Sequence, residues 1–286
     1  MTSEKHPLFR LVWRGVNLLL VAAALSSLYA GFREYSVRRY LKGFSDAVIP
    51  EAAAPEQKVQ AILSWMKNGP ARYVAADPDG LSGRDPENTL NYRQLLSVCG
   101  TATNAFLNLA RSGGLPVRRL LLLTPDRNTK HVVAEVLIDE RWVVVDPTYR
   151  AIFRDGNGQT LTRNQLKNAD VFAQAIRTIP GYPSEYNFER YAHVRLARLP
   201  LDGIGLRRVL DRALPGWDDA MDWSLLLERE SFLVLLVSVV LTLFFLLARV
   251  VLAWYADKRL RIPRFHFREH AVRAGVAFFF TPEIKE

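Results

Sequence analysis

Two uninterrupted apolar runs stand out from a chain whose polar and apolar residues are otherwise closely interleaved. The first, Val16 to Phe32, has no charge between Arg14 and Arg33, and the second, Phe232 to Tyr255, has only Arg249. Both are long enough for the roughly 17–25 residues that cross a bilayer as a helix. Between them the pattern changes. Residues 33–55 read as a linker or first helix ending in an Ala/Pro-rich stretch. Val59, Ile62, Leu63 and Met66 recur at helical spacing over Glu56–Lys67, and Asn68-Gly69-Pro70 ends that helix. The Asp/Pro/Gly-rich residues 76–90 predict a long surface loop. A second helix is expected from Ser97–Cys99 to Arg111, stopped by Gly113-Gly114. Strands are predicted at Val117–Leu123, His131–Ile138 and Arg141–Asp146, the last two joined through Asp139-Glu140 as a tight hairpin. Thr162-x-x-Gln165 has the form of a capping box and opens a helix through about Ile176. Residues 181–201 are irregular, with a strand near His193–Leu199. A helix before a small antiparallel sheet puts the central segment in the α+β class.

The flanks of the apolar runs set an orientation. Lys5, Arg10 and Arg14 precede the first run as they would in a signal peptide, but Leu28 and Tyr29 spoil a small-x-small cleavage site before Gly31. The first run is therefore read as an uncleaved anchor. Asp218, Asp219, Asp222, Glu228 and Glu230 precede the second run, and Lys258, Arg259, Arg261, Arg264, Arg268 and Arg273 follow it. The positive-inside rule places that basic tail in the cytoplasm. The expected organisation is a cytoplasmic tail over 1–15, a transmembrane helix over 16–32 and an extracytoplasmic domain over 33–230. A second transmembrane helix over 232–255 and a basic cytoplasmic tail over 256–286 complete it. This describes a two-pass protein of a bacterial inner (cytoplasmic) membrane, its domain facing the periplasm and the lipid bilayer its first partner. The net charge of +9 belongs largely to the span flanks, so nucleic acid is not an expected partner.

Cys99 is the chain's single cysteine, which excludes an internal disulfide framework and any multi-cysteine metal site. Its place at a helix start exposes it to unsatisfied N–H groups and the positive end of the helix dipole, both of which favour a thiolate. A two-residue turn at Asp139-Glu140 pairs Leu137 with Trp142 and Val133 with Asp146. His131 then lies on the same strand face as Val133, diagonal to Asp146 and within side-chain reach. With the cysteine helix packed on that face, the three form a Cys–His–Asp triad. Cys99 would attack an acyl carbon, His131 would move the proton, and Asp146 would fix the imidazole tautomer. The Cys99 backbone N–H is a natural oxyanion donor, with Gln94 as a second. Trp142, Tyr182 and His193 are candidates for a substrate groove, the bland alternative being that they pack within the domain. No cofactor or metal is called for. His266 and His270 have a metal-ligand spacing but sit in a run of arginines that reads as a headgroup-facing tail.

The segments SVCGTATNAFLNLARSGGLPVR, HVVAEV and RWVVVDPT, in this order, resemble the transglutaminase-like superfamily of papain-like thiol enzymes. The resemblance covers about residues 56–150. It implies a papain-like, cysteine-proteinase type of α+β fold flanked here by the two transmembrane helices, with Cys99, His131 and Asp146 in the catalytic positions. It also implies a peptide, protein or glycan-amide substrate, cleaved or transferred through a cysteine thioester. A non-catalytic binding or scaffold module that keeps the fold is the alternative.

Overall fold

The computed structural model describes residues 6–69, 73–77, 79–194, 206–220 and 222–260. The expected strand beyond Val194, the arginines from 261 onward, His266, His270 and the apolar stretch at 275–280 lie outside the described residues. The chain divides into two compact units, residues 1–28 with 237–286, and residues 29–236.

The first unit holds most of the apolar portions of α1 (Pro7–Val48) and α10 (Glu230–Tyr255), the latter continued by a π-helical stretch at Ala256–Leu260. Ser27 Oγ and Thr242 Oγ1 share a hydrogen bond of 3.0 Å. The most apolar window of each helix is only 11% buried. By length and composition both can cross a membrane.

The second unit is a mixture of helices and one antiparallel sheet. α2 (Pro55–Asn68) starts with Pro at its first position and buries Val59, Ile62, Leu63 and Met66. The loop predicted over 76–90 ends early. Asp85 caps α3 (Pro86–Asn91) by accepting from the Glu87 N–H at 2.8 Å, so Asp-Pro here is a helix start inside a loop-like composition. A short α4 (Arg93–Ser97) leads to α5 (Cys99–Ser112), which begins at the cysteine itself.

Five strands follow, β1 (Val117–Leu123), β2 (Thr129–Ile138), β3 (Arg141–Asp146), β4 (Ala151–Ile152) and β5 (Tyr191–Ala192), in the order β4-β3-β2-β1-β5. The β2–β3 ladder runs from Ile138 opposite Arg141 to Ala134 opposite Val145. Asp139 (φ 46°) and Glu140 (φ 61°) both adopt the left-handed conformation of a two-residue hairpin turn. The helix expected from Thr162 to Ile176 is broken. The capping box opens only α6 (Arg163–Leu166), and Asn168 caps a separate α7 (Ala169–Ile176). α8 (Leu206–Ala213) and α9 (Trp223–Glu228) complete the unit.

The sheet is apolar on both faces. Val117, Ala134, Val136, Val143 and Val145 pack with Ala102, Ala105, Phe106 and Leu109 of α5 and with α2. On the other face Leu120, Leu122, Val133 and Val144 pack with Phe153, Leu166, Phe172 and Phe188. Strand alternation puts His131 and Asp146 on this second face. The cysteine helix therefore packs mainly against the face opposite the imidazole, not the same face. Only its N-terminal part reaches the sheet end where the two side chains meet.

Candidate active site

The site lies where the start of α5 meets the ends of β2 and β3. The Thr103 hydroxyl, one turn into α5, donates to the Val132 carbonyl at 3.1 Å and fixes the helix beside His131. The thiol of Cys99 hydrogen-bonds the His131 ring, and the Val132 and Gly100 backbones also face the sulfur. The imidazole contact is the largest influence on Cys99. It outweighs burial, which acts in the opposite sense, and holds the thiol pKa below its ordinary 9.0.

His131 Nε2 is 2.7 Å from Asp146 Oδ2, and both side chains are buried. With Nε2 engaged by the acid, Nδ1 is the ring nitrogen left for the thiol. The other carboxylate oxygen, Oδ1, accepts from the backbone N–H groups of Thr148 at 2.9 Å and Tyr149 at 3.2 Å. The Asp-Pro turn thus holds its own carboxylate in place. Arg150 closes this turn, donating to the carbonyls of Thr148 and of Leu96, three residues ahead of Cys99. Burial alone would lower the imidazole pKa. Hydrogen bonds to Asp146 and Cys99 override it and push the ring up to about 9. The arrangement favours a thiolate–imidazolium pair, the reactive form of such a thiol.

Tyr182 is brought to this site. It is buried, its ring stands edge-on to His131 at 6.3 Å, and its hydroxyl lies beside Asp146, so that burial first and the carboxylate second raise its pKa. Tyr186 and Tyr149 also surround the imidazole. Gln94 lies on α4, where its amide nitrogen donates to the Ala75 carbonyl at 3.4 Å.

Trp142 and His193 are not brought to the cleft. Trp142 lies at the far end of β3 from Asp146, with the Arg118 guanidinium 4.0 Å above its ring. Arg118 Nε donates to Glu135 Oε2 at 2.7 Å, and His193 Nε2 meets the same oxygen at 2.9 Å. Arg163 forks onto Asp219 at 2.8 and 3.0 Å, and His193 Nδ1 lies 3.0 Å from that carboxylate. Glu135 is buried, which by itself would raise its pKa. His193, Arg118 and Arg163 hold it below the usual carboxylate range. These residues therefore tie the segments carrying His193 and Asp219 to the sheet. Among the described residues no group of three or more His, Cys, Asp or Glu side chains could hold a metal ion.

No match was found among curated proteins or among solved structures. Residues 42–147, which contain Cys99, His131 and Asp146, match the family model of the transglutaminase-like superfamily, and the chain therefore carries a transglutaminase-like domain.

Proposed function

We propose that the protein is a membrane-anchored thiol enzyme of the papain-like kind that cleaves or transfers an amide or peptide acyl group. The observation that carries this reading is the hydrogen-bonded series from Cys99 through His131 to the buried Asp146. The superfamily also has non-catalytic members, but a scaffold has no use for a thiol lowered and an imidazole raised by one another.

In the proposed reaction the Cys99 thiolate attacks the carbonyl carbon, and the electron pair moves to the oxygen. That oxygen faces the Cys99 backbone N–H, which at the first position of a helix has no partner within the helix. Gln94 becomes a second donor when its long bond to Ala75 is exchanged for the oxyanion. The His131 imidazolium passes its proton to the departing amine as the carbon–nitrogen bond breaks, leaving a thioester. The neutral ring then takes a proton from the incoming acceptor, whose oxygen or nitrogen displaces the sulfur. Asp146 keeps the tautomer fixed throughout. Water as acceptor makes the enzyme a hydrolase and an amine makes it a transferase. We favour hydrolysis, since no site for an acceptor lysine is seen among the described residues.

The two exposed apolar helices are read as spans of a bacterial inner membrane, with residues 33–230 on the periplasmic side. The acidic flank before the second span and the basic one after it support that orientation. External protease should cut within 76–90 in spheroplasts, and a protected loop would reverse the topology.

An active ester tests the chemistry without knowledge of the natural substrate. Given p-nitrophenyl acetate, the full-length protein in detergent should release a burst of phenolate and carry an acetyl group on Cys99 that is then lost to water. Cys99→Ser should abolish both. A wild-type protein that acetylates no faster than free cysteine would point to the scaffold.

A further inference from the structure

The closest ring stacked on the imidazole comes from outside the family-matched segment, which ends at residue 147. The Tyr186 ring lies flat on the His131 ring, centroids 4.1 Å apart and planes within 3°. Tyr182 and Tyr149 meet the same imidazole edge-on at 6.3 and 6.1 Å. We propose that Tyr186 is a positioning residue for His131, holding the imidazolium in the plane that faces both Cys99 and Asp146.

The strap that carries it is built to place this ring. Tyr182 and Phe188 flank Tyr186 and are both buried. Phe188 is packed edge-on against Phe153 at 5.6 Å and at a steep angle on Phe172 at 5.9 Å. Asn187, the next residue after Tyr186, accepts from Lys130 Nζ at 2.8 Å, and Lys130 precedes His131 on β2. Tyr186 is therefore fixed from both sides and tied to the strand that bears its target.

The stack has two physical consequences. The negative π face of the phenol favours the charged ring over the neutral one. It also keeps water off one face of the imidazole, which strengthens the Nε2–Asp146 bond. Neither effect needs the hydroxyl, so phenylalanine should serve as well and an aliphatic residue should not.

The inference rests on the proposed Cys99–His131 pairing, and the test separates the two. Cys99 is the chain's single cysteine, so alkylation by iodoacetate reports on it alone. The rate should rise with pH as the thiolate forms, and fall again as the imidazolium that attracts the anionic reagent discharges. Tyr186→Phe should keep the wild-type profile. Tyr186→Leu should move the lower limb up and the upper limb down, and slow the neutral-pH rate roughly threefold to tenfold, the effect of losing one aromatic stack. If the Leu variant does not fold, Tyr186→Met is read in its place. Limbs that stay put in the aliphatic variant overturn the inference even if the overall rate falls, because a merely structural role would scale the curve without moving it. A Phe variant as impaired as the aliphatic one overturns it too. A wild-type lower limb at the ordinary thiol value instead defeats the catalytic reading itself.

Discussion

Strand β2 carries His131 and, four residues on and about 13 Å away along the strand, Glu135 on the same face. Each belongs to a buried histidine–carboxylate pair, His131 with Asp146 and Glu135 with His193. The components are nearly the same and their surroundings are not. Asp146 spends its second oxygen on two backbone N–H groups and leaves the far side of its histidine to a half-buried thiol. Glu135 and His193 meet two arginines and a second carboxylate, with no nucleophile among them. A polarised imidazole becomes reactive chemistry only where its remaining nitrogen faces a group with a proton to give. Where it faces guanidinium and carboxylate groups, the same pairing cross-links the fold.

Swapping each carboxylate for its amide breaks the comparison most sharply. Asp146→Asn should cost about 10⁴ in acyl transfer, the scale seen when a triad acid loses its charge and the imidazole its tautomer. The burst assay measures this, and the melting temperature should move far less. Glu135→Gln should do the reverse. The buried Arg118 guanidinium loses its close counter-charge, while Arg163 keeps Asp219, at a cost of about 3 kcal/mol that appears as a lower melting temperature, and the folded protein should keep its burst. The pH sense follows from the depressed pKa of Glu135. Its contribution to stability is present above its ordinary value of 4.5 and is lost as pH falls through its lower folded value, so the variant should remove part of the wild type's loss of stability in acid. A Glu135→Gln protein that melts like the wild type but fails to acylate would invert the two roles.

Smaller changes sharpen the same contrast. Trp142→Leu removes the ring beneath Arg118 and should cost roughly 1–2 kcal/mol of stability with no change in the pH profile of the thiol. Glu140→Gly relieves a left-handed non-glycine residue in the hairpin turn and should stabilise by about 1 kcal/mol or less, read as a small rise in melting temperature. The register that places Asp146 near His131 would then be held more firmly.

That register was the most legible part of the site. A two-residue gap between Ile138 and Arg141 fixes every pairing back to Asp146, because a slip of one would turn each side chain to the other face. The start of α5 at Cys99 was readable for a similar local reason, since the helix pattern begins there. What depends on distant partners was not readable. Nothing in the alternation of β2 says which face a helix covers when both faces are apolar, so α5 was expected on the wrong one. Glu135 and His193 meet across 58 residues of sequence, and Trp142 takes its place from that cluster. The two-residue β4 is too short to leave a pattern. Tyr186 sits in an irregular stretch whose aromatics look alike until Tyr182 and Phe188 are seen to be buried on either side.

The central claim concerns the charge state of one sulfur atom, and its ultraviolet thiolate absorbance reads that state directly. The measurement is a pH titration of the full-length protein minus Cys99→Ser, repeated in a His131→Ala background. The account predicts a thiolate that forms below pH 9.0 in the wild type and only near that ordinary value once the imidazole is gone. A wild-type thiol that titrates at 9.0 or above, unmoved by His131→Ala, would contradict it.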